Sequence, residues 1–330
     1  MMSRTGWIIL IVCLCLVLCI CAGLFLAGRV ANALFSGRES SSDHSSVTQK
    51  YKDLKNPYSA DGAYSVKADD LKELDIDWIS GSVKVELTDG DVIRFQETAD
   101  RTISEKDALR YGVSGGKLRI QACKKNHVGK LPRKDLVLSL PRAWADRLQE
   151  LEIDTVSASI SAADLQVKEL ELNTVSGKVE ASNMIAEEAG IDSVSGAVAL
   201  LDSNVESLRI DSVSGRINVS GSARKVKVSS VSGPIECNMD ECRDVRANTV
   251  SGQVTFVLRS TPKELKVDTT SGEVRLALPT DASCAIELDA MSGKLFLNDT
   301  AVGAKQLTLG DGDALFGIDT MSGNVYVYTK

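Results

Sequence analysis

The chain has 330 residues, 43% hydrophobic, 25% charged and 5% aromatic, a balance that fits an ordered globular protein and excludes wholesale disorder. Lys and Arg total 38 against 45 Asp and Glu, giving a net charge of -7, so a broad basic face tracking a phosphate backbone is not expected and nucleic acid is a poor partner. Two histidines, His44 and His127, leave too few ligands and bases for most zinc and Ser-His-Asp sites.

The first element is Trp7 to Ala27, an uncharged apolar run of 21 residues bounded by Arg4 and Arg29. At ~1.5 Å rise per residue it spans a hydrocarbon core, and residues 1–35 read as a tail and transmembrane anchor. The alternative is a signal peptide cleaved near Ala31-Asn32-Ala33, but the run exceeds the usual apolar region of roughly 7–15 residues. Cys13, Cys15, Cys19 and Cys21 lie inside this run as small apolar fillers, so the eight cysteines are no extracellular disulfide framework. Arg4 and Arg29 with Arg38 nearly balance across it, and charge does not decide its orientation. Residues 36–62 are polar and Ser-rich and read as a flexible tether.

From residue 63 to about 150 the chain alternates in short apolar segments: Leu74/Ile76, Val83/Val85, Leu118/Ile120 and Leu136/Leu138, separated by turn signals such as Thr88-Asp89-Gly90-Asp91. This spacing predicts strands, with one helical turn or two allowed near Arg142 to Leu151. Residues 151–330 are dominated by an internal repeat, Asp/Asn-Ser/Thr-Val-Ser-Gly. Its glycines are Gly177, Gly196, Gly215, Gly233, Gly252, Gly272, Gly293 and Gly323, stepping by 19, 19, 18, 19, 20, 21 and 30. Ala158 holds the glycine position in a degenerate copy, and Gly81 ends an earlier outlier, Asp77-Trp78-Ile79-Ser80-Gly81.

Aligned on the glycine, apolar residues stand seven and five before it and two and four after it, as in Leu208/Ile210 and Ile217/Val219. Each repeat therefore supplies two short strands joined by a Ser-Gly corner, and successive repeats stack at ~4.8 Å. The fold class expected is all-β: a parallel β-solenoid of ~19-residue repeats, with its last strand, Asn324 to Thr329, at an open edge. The odd separation of seven across the corner requires a bend there, and glycine is expected to take a positive φ at low cost.

An acidic or amide residue precedes most corners: Asp77, Asp154, Asn173, Asp192, Asp211, Asn248, Asp268, Asp289 and Asp319. It is expected to cap the backbone two residues on, as in an Asx-turn. The competing reading, calcium held between rungs, lacks the calcium-binding nonapeptide, and no metal, cofactor or catalytic residue is assigned. Cys237 and Cys242 have C-x4-C spacing, but Cys237 falls on a core-facing column and reads as a buried thiol. Trp78 and Trp144 read as covers for the entrance of the stack.

The run of D-S-V-S-G corners with flanking L-x-I and V-x-V, and the ending GDGDALFGIDTMSGNVYVY, resembles the bacterial putative-adhesin β-strand-repeat family. That family is a domain of unknown function related to toast-rack domains of cell-envelope stress proteins. The resemblance covers about Tyr64 to Lys330 and implies a membrane-tethered, extracytoplasmic, non-enzymatic binding module. Its partners would be the membrane, through Trp7–Ala27, and an envelope protein or polysaccharide. The alternatives are a scaffold self-assembling through the solenoid and, third, a carbohydrate-active β-helix enzyme.

Overall fold

The structure, a computed structural model, describes residues 61–123 and 131–330 together with Leu54 and Ser59. The anchor Trp7–Ala27, nearly all of the tether, both histidines and the four N-terminal cysteines lie outside the described residues. Among the described residues no helix is long and apolar enough to cross a membrane. The chain divides into two compact units, which meet at 185/186 in sequence. Both are all-β and solenoid-like.

The N-terminal unit contains β1 (Ala63–Lys67), β2 (Glu73–Trp78), β3 (Gly81–Thr88), β4 (Val92–Ala99), β5 (Arg110–Ser114), β6 (Lys117–Gln121) and β7 (Lys134–Pro141). A single helical turn, α1 (Arg142–Ala145), leads to β8 (Glu150–Thr155), β9 (Ser159–Ala163), β10 (Gln166–Thr174) and β11 (Val179–Ser182). A rung is one strand on each side of a corner. Three rungs pair in parallel and in register: β2 with β8 and β3 with β9, then β8 with β10 and β9 with β11. The rung β6/β7 comes after β2/β3 in the chain yet lies on its outer side, pairing in parallel with β2 and β3. Antiparallel strands close that end, β5 on β6 and β4 on β7, with β1 on β4. The early strands therefore share the repeat architecture, with longer excursions.

The C-terminal unit contains β12 (Ile185–Ser193), β13 (Val198–Ser212), β14 (Ile217–Ser230), β15 (Ile235–Thr249), β16 (Val254–Leu258), β17 (Glu264–Thr269) and β18 (Val274–Leu278). There follow β19 (Cys284–Ala290), β20 (Leu295–Leu297), β21 (Thr300–Ala301), β22 (Gln306–Leu309), β23 (Ala314–Thr320) and β24 (Val325–Thr329). β13, β14, β15 and the β16/β17 pair stack in parallel. Stacking then departs from chain order. The last rung, β23/β24, inserts between β17/β18 and β19/β20, pairing in parallel with both.

The final strand is thus an interior strand, contrary to the open edge expected from sequence. The 30-residue step before Gly323 holds the device that makes this possible: an excursion through β21 and β22 that pairs antiparallel with β20 and β19 and covers the outer edge. The apolar columns read from sequence form the core. Leu208, Ile210, Ile217, Val219, Phe256 and Phe316 are each 2% exposed or less. Leu297, on the outermost rung, is only half-buried. Area removed from water by these columns, at ~25 cal/mol per Å2, is the main driving force holding the rungs together.

Candidate interaction surface

The corner consumes most of the repeated residues in its own bonding. The hydroxyl three residues before the glycine points inward and accepts the glycine N–H: Thr174 from Gly177 (2.9 Å), Ser212 from Gly215 (3.0 Å), Thr249 from Gly252 (2.9 Å) and Thr320 from Gly323 (2.8 Å). The serine just before the glycine donates both groups to one carbonyl of the adjacent rung. Ser214 gives its N–H (3.0 Å) and Oγ (3.4 Å) to Val194 O, and Ser232 does the same to Val213 O at 3.0 and 3.4 Å. These exposed serines are structural.

Two expectations are corrected here. The corner glycines Gly177, Gly215, Gly233, Gly252, Gly272, Gly293 and Gly323 do not adopt positive φ; among the corner glycines only Gly81 does, at 100°. Glycine is needed because backbones approach too closely for a side chain. A Cβ on Gly215 would lie 2.0 Å from Gly196 O, and one on Gly233 2.1 Å from Gly215 O. Left-handed backbone occurs instead at the second bend, six residues past the corner, at Asp164, Asn183, Asp202 and Gly221. These are residue types that tolerate it.

The second correction concerns the column Asp77, Asp154, Asn173, Asp192, Asp211, Asn248, Asp268, Asp289 and Asp319. The corner cap comes from the next residue along, and this column makes its contacts between rungs and, at Lys266–Asp268, along its own strand. Gln121 Nε2 donates to Asp77 (3.1 Å), Asn173 Nδ2 to Asp154 (2.9 Å), and Lys266 lies 3.4 Å from Asp268 and 3.6 Å from Asp319. Partial burial, with Asp319 beside it, raises the Asp268 pKa against the opposing pull of Lys266. Among the described residues no cluster of His, Cys, Asp or Glu is placed to hold a metal ion.

Two outward positions further from the corner, side chains again stack in register, and their charge differs between units. In the N-terminal unit Asp75, Glu152 and Glu171 align, with Arg119 on Asp75 at 3.2 Å and Lys117 between Glu73 (3.0 Å) and Glu150 (2.9 Å). In the C-terminal unit the same column reads Arg209, Lys227, Arg246 and Lys266 on four successive rungs.

Sequence reading missed a buried charged cluster under the N-terminal cap. Lys134 and Glu97 pair at 2.8 Å with side chains 2% and 1% exposed. The Lys134 ammonium also donates to Asp107 O (2.7 Å) and Ala122 O, and lies 5.0 Å from the Trp78 ring centroid. Glu97 accepts Leu109 N–H (2.9 Å) and Tyr64 OH (3.4 Å), so both charges are hydrogen-bonded throughout. Burial pushes the Lys134 pKa down; burial and the Glu97 charge push Tyr64 up to about 12. Tyr64, Phe95 and Tyr111 pack against one another with ring centroids 4.9 to 5.7 Å apart. The alternation in β4 and β7 placed Glu97 and Lys134 on the core side, and that was the available signal. Trp78 and Trp144 are buried, donating to Lys134 O and Leu71 O, each at 2.8 Å.

The model of the family described as Toastrack DUF4097 matches residues 71–328, nearly all of the repeat-bearing chain. The chain belongs to that family.

Among solved structures, this Toastrack chain is similar to a protein of Parabacteroides distasonis named "putative lipid binding protein", with 20% identity, a TM-score of 0.50, and coverage of 80% of this chain and 95% of that one. Two further structures are named "putative adhesin". That from Parabacteroides merdae has 12% identity and covers 84% of this chain and 97% of that one; that from Bacteroides fragilis has 9% identity and covers 81% and 96%. Both have a TM-score of 0.38. The likeness to the Parabacteroides distasonis protein concerns the fold alone. No curated protein matches. The four described thiols of this Toastrack domain are free. Burial pushes Cys237 up to about 12 and Cys242 and Cys284 up to about 11, as expected of packing groups and not of metal ligands or nucleophiles.

Proposed function

We propose that this protein is a membrane-anchored, extracytoplasmic binding module of the Toastrack family, adhesin-like or an accessory in envelope stress, without catalysis. The observation that carries the reading against the self-assembling scaffold is the treatment of the terminal rungs. β5 and β4 pair antiparallel onto β6 and β7 in one unit, and β22 and β21 onto β19 and β20 in the other. A solenoid built to stack end to end keeps a parallel edge open, whereas an antiparallel cover blocks continuation of the ladder. What remains for partners is the outward side chains of the rungs. The reading as an enzyme finds no support in the corner serines, whose hydroxyls are tied to carbonyls of neighbouring rungs.

The location rests on the apolar run Trp7–Ala27 and the family resemblance. It is tested by adding trypsin to wall-stripped host cells. Cleavage at Lys50, Lys52 or Lys55 with release of a resistant fragment beginning near β1 is expected. Full protection until the membrane is permeabilised would place the repeats in the cytoplasm and refute the reading.

A further inference from the structure

We propose that the column Arg209, Lys227, Arg246 and Lys266 is a docking track for a linear anionic polysaccharide. The inference rests on the binding-module reading and names its surface and partner class.

The four residues are direct partners in successive parallel pairings. Neighbouring rungs are ~4.8 Å apart, so the cations form a straight line roughly 14 Å long. Arg209, Arg246 and Lys266 are 48, 61 and 46% exposed, and Lys227 is exposed. Like charges stacked directly are unfavourable, and a sheet relieves them by alternating residue types or by placing counter-charges beside them. The ends of this column are relieved in that way. Arg209 contacts Asp192 (3.7 Å) and Asp211, and Lys266 contacts Asp268 and Asp319.

The middle is not. Lys227 makes no ion pair among the described residues, and its neighbours along the column are Arg209 and Arg246. Beside it the acidic column loses its charge: the in-register series Asp211, Ser229, Asn248, Asp268 is neutral at the rungs of Lys227 and Arg246. Lys225 sits on the same strand as Lys227, also exposed, whereas Arg224 is paired with Glu206 at 2.9 Å. The positive potential is therefore concentrated in a narrow strip, within a chain of net charge -7.

The width of the strip selects the partner. A duplex or a bilayer presents a broad phosphate surface that would also meet Glu206, Asp211, Glu264 and Asp268 around the strip. A single sugar chain with a carboxylate on each residue can lie along the cations and avoid them. Arginine at two of the four positions suits paired hydrogen bonding to carboxylates.

The test uses the full-length protein in a non-ionic detergent, with polygalacturonate as probe and its fully methyl-esterified form as the uncharged control. Polygalacturonate is expected to bind, and the ester not to bind. Raising salt from about 50 to about 200 mM should weaken binding roughly tenfold or more, as counter-ion release from four charges requires. The double variant Lys227→Glu/Arg246→Glu should lose at least tenfold in affinity with its thermal midpoint preserved. Lys294→Glu, elsewhere on the same unit, should bind as the wild type. If the double variant unfolds, Lys227→Gln alone should still lower affinity and salt sensitivity. No binding of polygalacturonate at low salt, equal binding by a folded double variant, or tighter binding of duplex DNA or phosphatidylglycerol vesicles would overturn the proposal. None of these variants touches the protease sites that report location, so failure of the track and failure of the binding-module reading are separately visible.

Discussion

Replacing Gly215 by alanine tests whether the corners are governed by crowding or by backbone conformation. The added Cβ would lie 2.0 Å from Gly196 O and 2.8 Å from Gly196 C. An ordinary contact is roughly 3.5 Å, so the rungs must part by about 1.5 Å at that point. The N–H bonds of Ser214 to Val194 O (3.0 Å) and Val213 to Ser193 O (3.1 Å) would stretch beyond hydrogen-bonding range. Losing two such bonds costs about 1–3 kcal/mol net, and overpacking adds a further 1–3 kcal/mol or so. A loss of about 2–6 kcal/mol, with a thermal midpoint lower by roughly 5–20 °C, is expected in urea and thermal denaturation. Gly215→Asn separates the two causes. At a left-handed corner asparagine would be milder than alanine; where backbone is the obstacle, it should be as damaging or worse. Gly317, with nothing within 4 Å of its would-be Cβ, is the control, and Gly317→Ala should be neutral or slightly stabilising. A Gly215→Ala protein as stable as the wild type would refute the crowding argument, and a clearly milder Gly215→Asn would restore the conformational one.

The caps give a paired prediction: Thr249→Val, which removes the acceptor of the Gly252 N–H, should cost about 1 kcal/mol in urea denaturation, whereas Ser230→Ala should cost little, because the buried Ser230 hydroxyl has no hydrogen-bond partner among the described residues. Asp268, raised by burial, contributes stability that is present below its ordinary pKa and lost as pH rises through its folded value; Asp268→Asn should therefore raise the thermal midpoint at pH 7 and flatten its pH dependence above about pH 4. Lys134→Met strands the Glu97 carboxylate in a dry site and should destabilise by about 3–5 kcal/mol in chemical denaturation, which an exposed pair such as Arg224–Glu206 would not. Among the four described thiols, peptide mapping after alkylation at neutral pH should show Cys242 labelled before Cys123, Cys237 and Cys284, which stay protected until the protein unfolds, since of these four only Cys242 is partly exposed.

The regular rungs were legible because they depend on local spacing. Period-two alternation about a fixed Ser-Gly placed Leu208, Ile210, Ile217 and Val219 in the core, and parallel register followed from repetition. The order of the terminal rungs was not legible. Chain proximity favours stacking β19/β20 directly on β17/β18, and only long-range pairing shows β23/β24 inserted between them. The length of the last step, 30 residues, signalled an excursion without saying where it returns. The role of the corner glycine was misread because a required glycine has two physical causes. One sequence cannot separate positive φ from close approach, although recurrent Asp164, Asn183, Asp202 and Gly221 already marked the bend that uses left-handed backbone. Glu97 and Lys134 lie 37 residues apart and carry no repeat, so their pairing depended on the fold of the cap.

Repetition itself separates structure from function in this chain. Where a residue type recurs along the rungs, the corner accounts for it: the glycine by the carbonyl against it, the serine by the carbonyl it bonds, and at Thr174, Ser212, Thr249, Thr269 and Thr320 the inner hydroxyl by the glycine N–H it accepts. Those positions have no freedom left to discriminate between partners. The outward positions two residues apart along each first strand answer to no such constraint, because their side chains leave the sheet and meet one another along the strand or across to adjacent rungs. There the residue type changes from carboxylates at Glu152 and Glu171 to cations at Arg209, Lys227, Arg246 and Lys266. A fold that is indifferent to the identity of these side chains can be given a charge pattern without altering a rung, and specificity in such a protein is accordingly to be sought in the columns that vary.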